Sequence, residues 1–142
     1  MKNRGTNTKQ PAKTKLLIVD DHSVVLEGIR NALEKEPDVE IAGTASDGRG
    51  AVETVKSLKP DIVIMDVSMP GLDGVEATHQ IKSWNNKIAV IVFTMYRDKE
   101  YIVTLFRSGV SGYVFKDESL EHLIMAVRAV RAVSYTHLRA HD

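Results

Sequence analysis

The chain has 142 residues, 43% hydrophobic and 27% charged, which suits one domain with a single sizeable core. It has no cysteine, which removes disulfides, thiolate metal sites and thiol nucleophiles. The formal net charge is zero, yet residues 1–15 carry five Lys or Arg and no acid, whereas residues 16–132 carry 13 basic and 18 acidic residues.

The folded part is therefore mildly acidic, which argues against nucleic-acid binding in its own right. The basic lead, residues 1–14, has no aromatic residue and no helical period, and is expected to be a disordered solubilising segment. No apolar run approaches a membrane span, and the N-terminus lacks the apolar core of a signal peptide. A cytoplasmic protein that does not touch membranes is the simplest expectation.

From Lys15 the chain alternates regularly. "KLLIVD" is a short apolar run that ends in acids, and "HSVVLEGIRNALEKE" sets Val25, Ile29, Ala32 and Leu33 on one helical face, closed by Pro37. "VEIAGTA" predicts a strand, and "DGRGAVETVKSL" a helix with Ala51, Val52, Val55 and Leu58 inward. "PDIVIMD" predicts a strand entered at a proline, where the missing N–H costs least. "DGVEATHQIKSW" is helical, "KIAVIVFT" strongly strand-like, and "RDKEYIVTLFRSG" helical with Gly109 as its stop. "GYVFK" and "SLEHLIMAVRAV" supply a last short strand and a helix. Strands apolar on both faces, each followed by an amphipathic helix, predict a doubly wound α/β sandwich on a five-stranded parallel sheet.

Ligands of such a sheet sit outside the carboxyl ends of the strands. The residues there are Asp20 and Asp21, Asp66, Thr94 and Lys116. Carboxylates about 4 Å apart repel by about 4 kcal/mol at an effective dielectric near 20, so positive charge must join them. Hard oxygen donors favour Mg²⁺ over zinc, and Lys116 with a Thr hydroxyl suits a phosphoryl group, for which aspartate is a covalent acceptor. Taken singly, each residue has a plainer explanation. Asp20 and Asp21 precede a helix as caps do, Asp66 opens a turn-rich stretch, and Lys116 reads as a solvated charge. Together, at the carboxyl ends of four strands, they are harder to dismiss.

The elements "VDDH", "DIVIMDVSMPGLDGVEA", "VIVFT" and "SGYVFKD" together resemble the receiver domain of bacterial two-component response regulators, across residues 15–132. The resemblance implies a flavodoxin-like fold with strand order 2-1-3-4-5. It implies that Asp66 is the phosphoacceptor and that Asp21 and Asp66 ligate Mg²⁺, with Asp20 acting through water or as a further ligand. The backbone carbonyl of Ser68 would complete the protein's share of the shell. Lys116 would pair with phosphoryl oxygens, Thr94 would move to hydrogen-bond them, and Tyr113 would change rotamer in concert. Beyond this self-directed phosphotransfer and slow autodephosphorylation, the domain is not expected to be an enzyme. Asp73 is expected to cap the following helix. Asp117 follows Lys116 where many receivers have a proline, often with a cis peptide.

"FTMYRDKEYI" and "RSGVSGYVFKDES" look most like the subfamily with a C-terminal LuxR-type helix-turn-helix. A sensor histidine kinase as donor, a phosphorylation-dependent homodimer, and DNA contact only through a C-terminal domain absent here are the partners so implied. A stand-alone receiver acting as phosphorelay or interaction module is the alternative. The responding face would be the fourth helix, fifth strand and fifth helix, or the first and fifth helices. Tyr101, Phe106 and Val110 suit either such a face or the core. The five histidines show no metal-ligand spacing and read as surface or supporting residues. A phosphatase of the Asp-x-Asp type is disfavoured because Ser68 stands where its second acid belongs, and no phosphate-binding glycine loop is present. Residues 133–142, "VSYTHLRAHD", are similar to a translated end of a sequencing-library adapter, so a non-native tail is expected there; the other reading continues the helix with Tyr135 and Leu138 on one face.

Overall fold

The computed structural model describes residues 13–141, with side chains as far as Val133. The basic lead, apart from Lys13 and Thr14, and the side chains of the tail from Ser134 on lie outside the described residues. The elements run β1 (Thr14–Val19), α1 (Ser23–Leu33), β2 (Val39–Ala45), α2 (Gly48–Leu58), β3 (Ile62–Met65), α3 (Gly74–Trp84), β4 (Ala89–Thr94), α4 (Lys99–Ser108), β5 (Gly112–Phe115) and α5 (Leu120–His141). All ten expected elements are present. The first strand begins one residue before the expected boundary, because Thr14 already pairs with Val39.

The sheet is parallel throughout, in the order β2-β1-β3-β4-β5. Its central strands are buried on both faces, which is why they lack polar alternation. The two-residue period of a strand then sorts the core into two layers. Leu17, Val19, Val63, Met65, Val90 and Val92 face α2, α3 and α4, meeting Ala51, Val55, Ala77, Ile81 and Leu105. Leu16, Ile18, Ile62, Ile64, Ile91 and Phe93 face α1 and α5, meeting Ile29, Leu33, Leu123, Ile124 and Val127. Val25, Ala32, Val52 and Leu58, expected inward, are only partly buried, because they sit at the edges of their helical stripes.

Helix boundaries follow local chemistry. Asp47, Asp73 and Asp98 cap α2, α3 and α4 by accepting backbone N–H groups of the first turn, as expected for Asp73. Gly109 ends α4 with φ of 113°, a left-handed conformation that glycine adopts without strain. A bidentate Arg128–Glu36 pair at 2.9 Å ties α5 to the turn after α1. Among the described residues no peptide bond is cis, and no helix is long and apolar enough to cross a membrane.

The α4 helix buries one side chain completely, Leu105, while its neighbour Phe106 is 46% exposed. Leu105→Ala is expected to lower stability by about 2–5 kcal/mol through lost burial and a residual cavity. Phe106→Ala should cost under about 1 kcal/mol, as a half-exposed ring leaves no cavity. Urea unfolding of both variants checks the contrast.

Candidate functional site

Asp20, Asp66 and Lys116 each sit just past a strand and continue its ladder, and Thr94 is the last residue of β4. The Asp20 N–H donates to the Ala45 carbonyl, the Asp66 N–H to Val19, and the Lys116 N–H to Thr94. Backbone pairing therefore fixes where the three side chains start, and the parallel register brings them to one spot. Asp20 and Asp66 are 2% and 1% exposed, so neither is a solvated turn residue.

The Lys116 ammonium bridges them, with Nζ 2.7 Å from Asp20 Oδ2 and 2.7 Å from Asp66 Oδ2. The other Asp66 oxygen, Oδ1, accepts from the Thr94 hydroxyl at 2.7 Å, the Ser68 hydroxyl at 2.7 Å and the Ser68 N–H at 2.9 Å. Burial by itself would raise the Asp66 pKa. Hydrogen bonds from Lys116, Ser68 and Thr94 outweigh it and hold the carboxyl below the usual aspartate value. Burial likewise opposes the charge on Lys116, but its bonds to Asp20 and Asp66 prevail and raise its pKa.

Asp20 and Asp21 do not cap the helix they precede. The N-cap of α1 is His22, which makes no side-chain capping bond, and Asp20 Oδ1 instead accepts the His22 N–H at 2.8 Å. The His22 ring lies 3.1 Å from a carboxylate oxygen of both Asp20 and Asp21. Donor atoms of Asp20, Asp21, His22 and Asp66 all fall within 4.8 Å of one another. Three carboxylates facing one ammonium leave excess negative charge, and a pocket of hard oxygen donors around it is one that can bind a divalent cation.

Tyr113 lies off the rim on β5, half-buried, and its hydroxyl donates to the Tyr96 carbonyl at 2.6 Å. Burial, with the nearby Tyr101, Tyr96 and Asp66, pushes the Tyr113 phenol up to about 12. Thr94 and Tyr113 thus meet through one residue, since the Tyr96 N–H also reaches Thr94 Oγ1 at 3.3 Å. Of the three residues nominated for an output face, Val110 is buried, Tyr101 half-buried and Phe106 exposed.

Three features escaped sequence reasoning. The Ser68 hydroxyl and N–H both serve Asp66, although an Asp side chain that bonds the backbone two residues on is a known turn device. His22 stands at the rim itself, next to the acid pair in the sequence. Arg97 pairs with Asp117 while stacking over Phe115 at 3.9 Å, clipping the β4–α4 loop to the β5–α5 loop with no local sequence signature.

The paired charges fix a pH profile. Asp66, with its lowered folded-state pKa, stabilises the fold above about pH 4, and that contribution is lost as pH falls through the folded value. Lys116, with its raised pKa, stabilises below about pH 10, and that contribution is lost as pH rises through its folded value. Lys116→Met strands two buried carboxylates, so its stability at pH 7 should fall by about 3 kcal/mol. Urea unfolding of wild type and variant between pH 3 and pH 7 should show the gap narrowing toward acid.

The residues from 16 to 128 match the family model "Response regulator receiver domain". The chain is 35% identical over 126 residues to the transcriptional regulatory protein DegU of Brevibacillus brevis, covering 88% of this chain and 53% of that protein. It is 41% identical over 117 residues to the oxygen regulatory protein NreC of Staphylococcus haemolyticus, covering 82% of this chain and 54% of that protein. It therefore spans about half the length of these curated relatives. A crystal structure of a LuxR-family two-component response regulator from Aurantimonas sp. SI85-9A1 superposes with a TM-score of 0.79 at 34% identity, covering 85% of this chain and 86% of that one. With the parallel 2-1-3-4-5 sheet and the buried acid–lysine cluster at its rim, the chain belongs to the receiver domains of two-component response regulators, a family of signalling domains rather than classical enzymes.

Proposed function

We propose that this domain accepts a phosphoryl group on Asp66 and changes conformation in response. The observation that carries the reading is the state of Asp66: deeply buried, yet kept ionised by four hydrogen bonds from Lys116, Thr94 and Ser68. A buried carboxylate held as the anion is a nucleophile without a general base. One of its oxygens would attack phosphorus while the bond to the donor breaks, the pair of electrons leaving with a histidine imidazole of a sensor kinase or with acetate of acetyl phosphate. Lys116 would then exchange its carboxylate contact for a phosphoryl oxygen, and the Thr94 hydroxyl would turn to another.

The carboxylates of Asp20, Asp21 and Asp66, with the Ser68 carbonyl, would hold Mg²⁺. When bound, the ion would offset the negative charge that opposes attack by one anion on another. The protein's own part is placement: the sheet fixes Asp66, and Ser68 orients its carboxylate plane. Tyr113, tied to Tyr96, would answer the movement of Thr94 as the second switch residue. Slow autodephosphorylation would reset the domain.

The whole protein's role extends this reading. Relatives roughly twice the matched length include a protein named a transcriptional regulator, which supports phosphorylation-controlled transcription through a C-terminal DNA-binding domain. A sensor histidine kinase as donor and a phosphorylation-dependent homodimer fit the same scheme. Residues 15–132 would form the receiver, with residues 133–142 a non-native tail.

Incubation with acetyl phosphate and Mg²⁺ should add one phosphoryl group by intact mass, with none gained without Mg²⁺ or in Asp66→Ala. A gain that persists in Asp66→Ala would overturn the acceptor assignment.

A further inference from the structure

The acceptor strand is joined to α3 by the segment from Val67 to Asp73, and an aromatic side chain from a distant helix closes it. At the start of α3, four N–H groups lack intrahelical partners. Asp73 Oδ1 takes those of Val75 and Glu76, at 3.0 Å and 3.1 Å. Of the two left, the Gly74 N–H donates to the Tyr101 hydroxyl on α4 at 3.1 Å. The approach is close enough to require glycine, since a Cβ at position 74 would lie 2.6 Å from Val67 Cγ1 and 2.9 Å from Tyr101 Oη. The Tyr101 hydroxyl therefore touches the far end of the acceptor segment and lies near its first residue.

From Tyr101 the contacts lead back to Asp66 by a second route. Its ring meets Tyr96 edge-on, with centroids 5.2 Å apart at 82°. The Tyr96 N–H reaches Thr94 Oγ1, the Tyr96 carbonyl accepts from Tyr113, and Thr94 Oγ1 donates to Asp66. Asp66, Thr94, Tyr96, Tyr101 and Gly74 thus form a closed circuit around the acceptor segment. In this circuit Thr94 Oγ1 is committed on both sides: it donates to Asp66 and accepts from Tyr96. Any turn of that hydroxyl toward a new oxygen pulls on Tyr96, and the edge contact passes the displacement to Tyr101.

We propose that Tyr101 is a positioning residue of the switch: its phenol, by accepting the Gly74 N–H, holds α4 against the acceptor segment in the unmodified state and is released when Asp66 is phosphorylated. The inference rests on the phosphoacceptor reading and adds to it a named latch outside Thr94 and Tyr113. A bond present in one state alone shifts the equilibrium by its own differential energy.

The test is beryllofluoride affinity in Mg²⁺, followed by ¹H–¹⁵N NMR on the full chain for wild type and Tyr101→Phe, which keeps the ring and loses only the hydroxyl. Loss of one neutral hydrogen bond specific to the unmodified state should tighten beryllofluoride binding about fivefold. The wild-type Gly74 amide should shift on binding as its acceptor leaves. A residue that merely supports the fold would lower the urea midpoint and leave the affinity ratio at one. Equal or weaker binding by Tyr101→Phe, or an unmoved Gly74 amide, overturns the latch while the phosphoacceptor reading stands. Absence of binding by the wild type overturns both.

Discussion

The site depends on one ammonium, on a lysine side chain only 10% exposed. Two aspartates at the ends of adjacent parallel strands cannot both stay ionised in a desolvated rim without a cation between them. Lys116, arriving from the end of β5, supplies it at 2.7 Å to each. The contact is also a topological statement. The strands that carry Asp20 and Asp66 are adjacent, but the lysine comes from the sheet's other edge and must reach across β4. That reach works because the register pairs Phe115 with Thr94, whose carbonyl accepts the N–H of the next residue, Lys116.

A site built this way is poised rather than relaxed. Replacing a buried ion pair with apolar residues is often neutral or stabilising, so the cluster is weak evidence for a role in stability alone. Its cost makes more sense as readiness for an incoming anion. Lys116, Thr94 and Ser68 already converge on the Asp66 carboxylate, so a phosphoryl group formed there would meet its donors with little reorganisation. The same donors connect outward: Thr94 to Tyr96, Tyr96 to Tyr113 and Tyr101. A charge event at one buried oxygen therefore has a physical path to a face of the domain where Met95, Tyr96, Val103 and Phe106 are exposed.

Much of this was legible in the sequence, for a specific reason. In a parallel sheet the strand ends align, so the residue that stops each apolar run reports on one shared rim; Asp20, Asp66, Thr94 and Lys116 could be read off that way. The helices were legible from their apolar period and from Asp73 and Gly109 at their ends. What could not be read were side-chain contacts made across the fold. The Gly74 N–H and the Tyr101 hydroxyl are 27 residues apart, and Arg97 and Asp117 are 20 apart. Neither spacing has a helical or strand period. Tyr101, Phe106 and Val110 looked alike in the sequence because each lies on or just after one amphipathic helix. Only the packing shows Val110 in the core and Phe106 outside it.

The central claim is that donors, not burial, decide the charge of Asp66. A ¹³C NMR titration of the Asp66 side-chain carboxyl in the unmodified, metal-free protein tests it directly. The account predicts a pKa below the ordinary aspartate value of about 3.9. A value above it would mean that desolvation outweighs the hydrogen bonds from Lys116, Ser68 and Thr94.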